Sequence, residues 1–252
     1  MRLFVPIFVL LLCATLSAQR KTMLVVFPHP DDEAVLGEVM IKYSSLGYKV
    51  QLLVATDGRD GTRVTKIPPG DELARLRKEE TLCALRKIGI DEPIFLDLER
   101  LDTKIGTGKY FAEHKKFMKL LKEKVSSIKP DFIVTFGPDG DTSHSEHIVA
   151  GSAVTELLLE EGWVERYPLY YLSWTPEQGK LLDLGYVDTQ YLNVKITYTQ
   201  DQENKALEMM PCYVTQYTPE EIVDDHSKKI ADTSNFLYFR RFAVKKGLRD
   251  RF

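Results

Sequence analysis

Two short polar clusters hold most of the residues in this chain that could do chemistry together. The first, His29-Pro30-Asp31-Asp32-Glu33, follows the apolar run Met23 to Phe27. An imidazole and two adjacent carboxylates supply borderline and hard metal donors while leaving one carboxylate free, a mixture that suits zinc. Pro30 fixes its own φ and biases His29 toward extended backbone, which helps the side chains leave a defined turn. The second cluster, Asp139 to His147 (DGDTSHSEH), follows a later apolar run, DFIVTF. His144 and His147 are three apart near a helix start and can point to one side, so that one binds a metal while the other reaches a substrate. Each cluster alone has an ordinary explanation: Asp31 or Asp32 as a helix N-cap with Glu33 in the first turn, or two surface histidines on a Gly-rich turn. Jointly they put three of the five histidines into two loops that follow strands, and catalytic zinc takes three protein ligands plus an open position. The other two, His114 and His226, sit on charged helical stretches and read as solvated.

The elements that must position these clusters alternate. MLVVF is a buried strand, and a helix from about Glu33 to Leu46 stops at Gly47. YKVQLLVAT is a second strand, residues 57–70 a long Gly- and Pro-bearing loop, 72–88 a helix, and PIFLDL a strand. A Lys-rich helix over 112–128 precedes DFIVTF, and the second cluster opens the helix that begins at Ile148. Parallel neighbours need crossovers and both sheet faces must be covered, so this order predicts an α/β, Rossmann-like, mainly parallel sheet flanked by helices. Ligands gather at the carboxyl edge of such sheets, where both clusters fall. Later segments (PLYYLSW, QYLNVKIT, helices near 202–210 and 219–231, and NFLYFRRFAV) complete the pattern without a linker or repeat. Tyr170, Tyr171 and Trp174 fit a buried late strand better than a sugar-stacking platform.

With 252 residues, 34 basic against 37 acidic side chains and a formal net charge of -3, the chain has no electrostatic basis for nonspecific nucleic-acid binding. Residues 1–18 read as a secretory signal peptide cut before Gln19: Arg2, an apolar run from Leu3 to Leu12, and small residues ending at Ala18. That run is about half the roughly 20 residues a bilayer-spanning helix needs, so no membrane span is expected after its removal. The alternative is membrane association through an uncleaved segment. Residues 19–252 are then expected to form a single domain holding Cys83 and Cys212, with Cys83 read as a small core residue on its helix. Sequence leaves their pairing and the oligomeric state open.

FPHPDDE (27–33) with HSEH (144–147) resembles the paired signature of the PIG-L/LmbE-like family of zinc-dependent N-deacetylases. ATDGRDG (55–61) and the Arg77-x-x-Glu80 helix resemble the intervening family segments. The resemblance implies that His29, Asp32 and His147 bind zinc, that Asp31 is the general base, and that His144 stabilises the oxyanion, with a charged imidazolium as one form. It also implies that Arg77 contacts polar substrate groups and that the substrate is an N-acetylated sugar or sugar conjugate. The chemistry agrees, because amide hydrolysis needs an activated water, a stabilised tetrahedral oxyanion and a proton for the leaving nitrogen. The chain departs from the pattern in having Ser145 and Glu146 where the family more often has Pro and Asp, and Tyr213 where a histidine would stand. If Glu146 orients His144, that geometry has changed. The basic loop residues Arg59, Arg63 and Lys66 read equally as ligand contacts or as solvated charge. Rival readings are a catalytically silent carbohydrate-binding protein, against which the spare Asp31 argues, and a metal-dependent esterase or amidase on another substrate.

Overall fold

In the computed structural model, residues 20–248 and residue 250 are described; the expected leader, residues 1–18, lies outside the described residues. Strand β1 (Thr22–Phe27) is buried at every position because both of its faces are covered. Met23, Val25 and Phe27 pack into one core and Leu24 and Val26 into the other, the period-two alternation of a strand with a helical layer on each side. Strands β2 (Lys49–Thr56), β3 (Ile94–Leu98), β4 (Phe132–Phe136) and β5 (Leu169–Ser173) join it in parallel. Strands β6 (Val194–Thr197) and β7 (Phe236–Arg241) close one side antiparallel. The order across the sheet is β3-β2-β1-β4-β5-β7-β6, the mainly parallel, helix-flanked architecture expected.

Helices α1 (Gly37–Ser45) and α2 (Asp71–Ile88) cover the first face; α3 (Thr107–Ile128) and α5 (Ser145–Glu160) cover the second. The short α4 (Gly140–Ser143) leads into α5, and α6 (Pro176–Leu182), α7 (Gln200–Leu207) and α8 (Pro219–Ala231) follow β5. The elements depart from expectation in four places. Asp32–Leu36 is a tight 3₁₀ turn ahead of α1, α3 starts five residues early, at Thr107, α5 starts three residues early, at Ser145, so that His147 stands on the helix and not in the loop before it, and α6 lies in a stretch for which the sequence pattern predicts no element. Among the described residues no helix is long and apolar enough to cross a membrane. Cys83 of α2 and Cys212 are joined in a disulfide, so Cys83 is a covalent tie between α2 and the chain near 212 rather than a plain core side chain.

Candidate active site

Strand β1 is flanked by β2 and β4, and the chain leaves β1 toward β2 before returning to β4 on the other side. That reversal opens a crevice beyond the carboxyl ends of β1 and β4, where ligands of such sheets bind. Because Met23, Leu24 and Val25 pair with Phe132, Ile133 and Val134, the loops after the two strands must meet. The His29 and His147 rings stand 5.3 Å apart between centroids, and His29 and His144 stand 4.8 Å apart.

The first loop is pinned from both neighbours. Thr56 donates from N–H and hydroxyl to the Pro28 carbonyl, each at 2.8 Å, and the Thr135 hydroxyl donates to the Val26 carbonyl at 2.8 Å. Asp31 sits at φ 102°, a left-handed conformation that a non-glycine residue holds only when its surroundings over-determine it. Here its N–H donates to Glu33 Oε2 at 3.0 Å, and its Oδ2 meets Arg77 Nη2 at 2.9 Å. Arg77, 4% exposed, also donates to the carbonyls of Gly58 and Pro30. A Cβ at Gly58 or Gly61 would run into this guanidinium, so glycine at both is what lets it reach Asp31. Tyr213, fully buried, donates its hydroxyl to Glu33 Oε1 at 2.9 Å. The residue at the expected histidine position therefore supports the turn from below.

Asp32 bridges the two clusters. Its Oδ2 accepts the His29 N–H at 2.7 Å and lies 3.2 Å from His29 Nδ1, and its Oδ1 lies 3.1 Å from His147 Nε2. Burial would raise this carboxyl, but the two imidazoles outweigh it and hold it well below the usual carboxylate range. Burial would likewise lower His29, yet Asp32 and Glu146 lift it to about 10. The free side chains thus share protons that a metal ion would displace. Two ligands on one tetrahedral zinc stand roughly 3.4 Å apart, close to both spacings, and two nitrogens with one carboxylate are a zinc donor set. His147, stacked on Phe136 with centroids 4.2 Å apart, also has a buried Nδ1 without a partner.

One ring nitrogen each from His29, His144 and His147 also lie within 4.8 Å of one another, so an all-histidine set overlaps the expected one. Asp32 touches both the His29 and His147 imidazoles, so it can join them as the third donor. His144 caps α5 instead: its Nδ1 accepts the Glu146 N–H at 3.2 Å, which leaves the ring proton on Nε2. Burial and the neighbouring imidazoles push His144 down to about 4. This geometry favours a neutral imidazole that donates through Nε2, in place of the charged form entertained from sequence. Burial raises the Asp31 carboxyl to about 6 against the pull of Arg77.

Glu146 does not orient His144 by its side chain. It reaches His29, with Oε2 3.0 Å from Nε2. Arg100, just beyond β3, was missed from sequence although it lies at the same sheet edge, and strand-end position was the signal that could have found it. Of the basic loop residues, Arg59 pairs with Asp57 and Asp71, and Arg63 binds Glu221 and the Gln216 carbonyl while lining the cleft. His114 and His226 are remote from it, contacting Glu156 and the Leu207 carbonyl. Of the three late aromatics expected in a buried strand, Tyr171 of β5 and Trp174 just after it are buried, whereas Tyr170 is half-buried. The cleft over the site encloses about 460 Å³ and has a largely polar lining that includes Asp31, Arg77, Lys104, His144 and Gln216.

The profile of the PIG-L family, described as GlcNAc-PI de-N-acetylase, matches residues 24–158, which include both clusters and Arg77. This chain belongs to the PIG-L family. This PIG-L member is 27% identical over 181 residues to the 1D-myo-inositol 2-acetamido-2-deoxy-alpha-D-glucopyranoside deacetylase of Mycobacteroides abscessus, an alignment covering 66% of this chain and 63% of that protein. It therefore spans less than two thirds of that relative's length. Its fold is shared with the N,N'-diacetylchitobiose deacetylase of Pyrococcus horikoshii, at a TM-score of 0.67 and 18% identity over 89% of this chain and 84% of that one. The 4-carboxy-2-hydroxymuconate hydratase of Pseudomonas putida KT2440 shares the fold as well, at a TM-score of 0.60 and 15% identity over 91% and 100% of the two chains. The fold alone does not select a reaction; the side chains in the cleft must.

Proposed function

We propose that this chain is a zinc-dependent N-deacetylase, hydrolysing the N-acetyl group of an N-acetylglucosamine-type sugar or sugar conjugate. One observation carries the reading: Asp31, a carboxylate that touches neither imidazole, is locked by Arg77 beside the three donors His29, Asp32 and His147. Those three would hold the metal, which supplies Lewis acidity for the acetyl carbonyl and a bound water acidic near pH 7.

The remaining steps belong to the protein. Asp31, whose carboxyl burial raises above the ordinary range against the pull of Arg77, takes a proton from the attacking water and returns it to the departing nitrogen. The His144 Nε2–H faces the developing oxyanion as a fixed donor. Arg77, buried and with both terminal nitrogens taken by Asp31 and the Gly58 and Pro30 carbonyls, fixes the placement of Asp31, a supporting role in place of the sugar contact that the family resemblance implies. A cleft of this size and polarity suits a polyhydroxylated ligand better than an apolar one. The substrates named for the inositol-linked and chitobiose deacetylases share an N-acetylated glucosamine unit, which supports the substrate class.

Acetate release from a panel of N-acetylglucosamine compounds and acetyl esters, with the zinc-loaded full chain, tests the reading. Turnover of at least one amide is expected. Zinc binding without turnover across the panel would favour the silent carbohydrate binder, and turnover of acetyl esters alone would favour the esterase. We also infer export with removal of residues 1–18, supported by the Cys83–Cys212 bond, since such bonds persist in oxidising compartments. A cell-fractionation experiment that finds the uncut chain in the cytoplasm would refute this.

A further inference from the structure

We propose that Arg100 is a positioning residue for the metal centre, acting through Glu146 on His29. The inference rests on the metal-site reading above and extends it beyond the two clusters to Arg100, Asp102 and Asp60 on the segments after β3 and β2. Arg100 lines the cleft, where a cation invites the role of gripping an anionic substrate. Four of its five N–H donors are already committed to carboxylates. Nε meets Asp102 Oδ1 at 3.0 Å, Nη1 meets Asp60 Oδ2 at 3.0 Å, and Nη2 meets Asp102 Oδ2 at 3.2 Å and Glu146 Oε2 at 3.1 Å. The fork is a clamp on three carboxylates, two of which, Asp102 and Glu146, are buried and would otherwise repel one another in a poorly solvated place.

Glu146 is the member that matters for chemistry. Its side chain is 4% exposed, with Oε1 accepting the Leu101 N–H at 2.6 Å and Oε2 accepting from His29 Nε2 at 3.0 Å. A carboxylate on the far nitrogen of a metal-binding imidazole fixes ring orientation and tautomer. With the proton held on Nε2, the His29 Nδ1 lone pair faces Asp32 and the metal position. Ser145 completes the frame by donating its hydroxyl to Asp102 Oδ2 at 2.6 Å. The two departures in HSEH thus work as a unit with the segment after β3: the longer Glu146 spans to His29, and Ser145 makes a bond to Asp102 that proline lacks the hydroxyl to make.

The test measures zinc affinity by chelator competition on the full chain carrying Arg100→Ala. The affinity is expected to fall about tenfold to a hundredfold, the range for lost outer partners of metal ligands. Acetate release should drop at limiting zinc and recover toward the wild-type rate at saturating zinc, a recovery that general structural damage would not give. Arg100→Lys, which keeps charge but not the fork, should fall between the two. If Arg100→Ala fails to fold, Glu146→Gln decides, because it keeps the shape while removing the charge that Arg100 holds and one of the two acceptors shared by Leu101 N–H and His29 Nε2; a loss of similar size is expected. Wild-type zinc affinity in folded Arg100→Ala, or in Glu146→Gln where that variant decides, overturns the proposal. When His147→Ala abolishes zinc binding in the same assay, that overturning result leaves the metal site standing; a wild-type chain that takes up no zinc refutes both.

Discussion

Replacing Gly151 with alanine should weaken the metal site without touching any of its residues. Helix α5 crosses the end of β4 at this glycine, where a Cβ would lie 2.1 Å from the Phe136 carbonyl oxygen. Side-chain carbons keep at least about 3 Å from such an atom, and backbone cannot rotate away, so α5 must move by roughly 1 Å. His147 lies one turn earlier on the same face of α5, stacked on Phe136 and 3.1 Å from Asp32. Metal sites tolerate distance errors of only about 0.2 Å, so the shift should cost zinc affinity. For stability, alanine gains about 1 kcal/mol of helix propensity, while overpacking against backbone costs toward the upper end of about 1–3 kcal/mol. The net loss is about 1–2 kcal/mol, or roughly 2–8 °C in Tm for a chain of this size. Calorimetric melting of metal-free protein and chelator competition read the two effects. A variant that melts at or above wild type with unchanged zinc affinity would refute the close approach and the coupling drawn from it.

Two further outcomes follow from named contacts. The Cys83–Cys212 bond spans 129 residues of sequence, and removing it by paired alanine substitution should cost about 2–5 kcal/mol, seen as a Tm lower by roughly 4–20 °C; unchanged melting would contradict this. Burial raises the Asp102 carboxyl, yet hydrogen bonds from Arg100 and Ser145 outweigh it and hold it down to about 2. Its stabilising contribution is therefore present above its ordinary value near 4 and is lost as pH falls toward 2. Asp102→Asn should flatten the acid limb of the stability profile in that window, and an unaltered slope in acid titration would count against the network.

Much of this was legible in the chain because local and global signals agree. Runs such as MLVVF are buried on both faces, so their composition alone marks interior parallel strands, and the polar turns after β1 and β4 announce the site. What stayed hidden depended on pairings between distant segments. No local pattern says that Glu146 reaches His29 instead of His144, that Arg100 gathers three carboxylates, or that Cys83 finds Cys212. Tyr213 stands where a histidine was expected, and its role became visible only once Glu33 was seen beneath the turn. Helix α6 was missed although Thr175, Pro176 and Gln178 spell a capping box, with reciprocal bonds of 3.1 and 3.3 Å. The early start of α3 has a physical reason: its first turn, Thr-Gly-Lys-Tyr, has few apolar residues to reveal a helical period.

The claim on which the account turns is a division of labour between adjacent aspartates, with Asp32 holding the metal and Asp31 moving the proton. Zinc stoichiometry and acetate release measured together on Asp31→Asn address it directly. The prediction is one zinc per chain, as in wild type, with turnover reduced by at least about a hundredfold. An Asp31→Asn chain that loses its zinc, or that keeps wild-type turnover, would contradict the assignment.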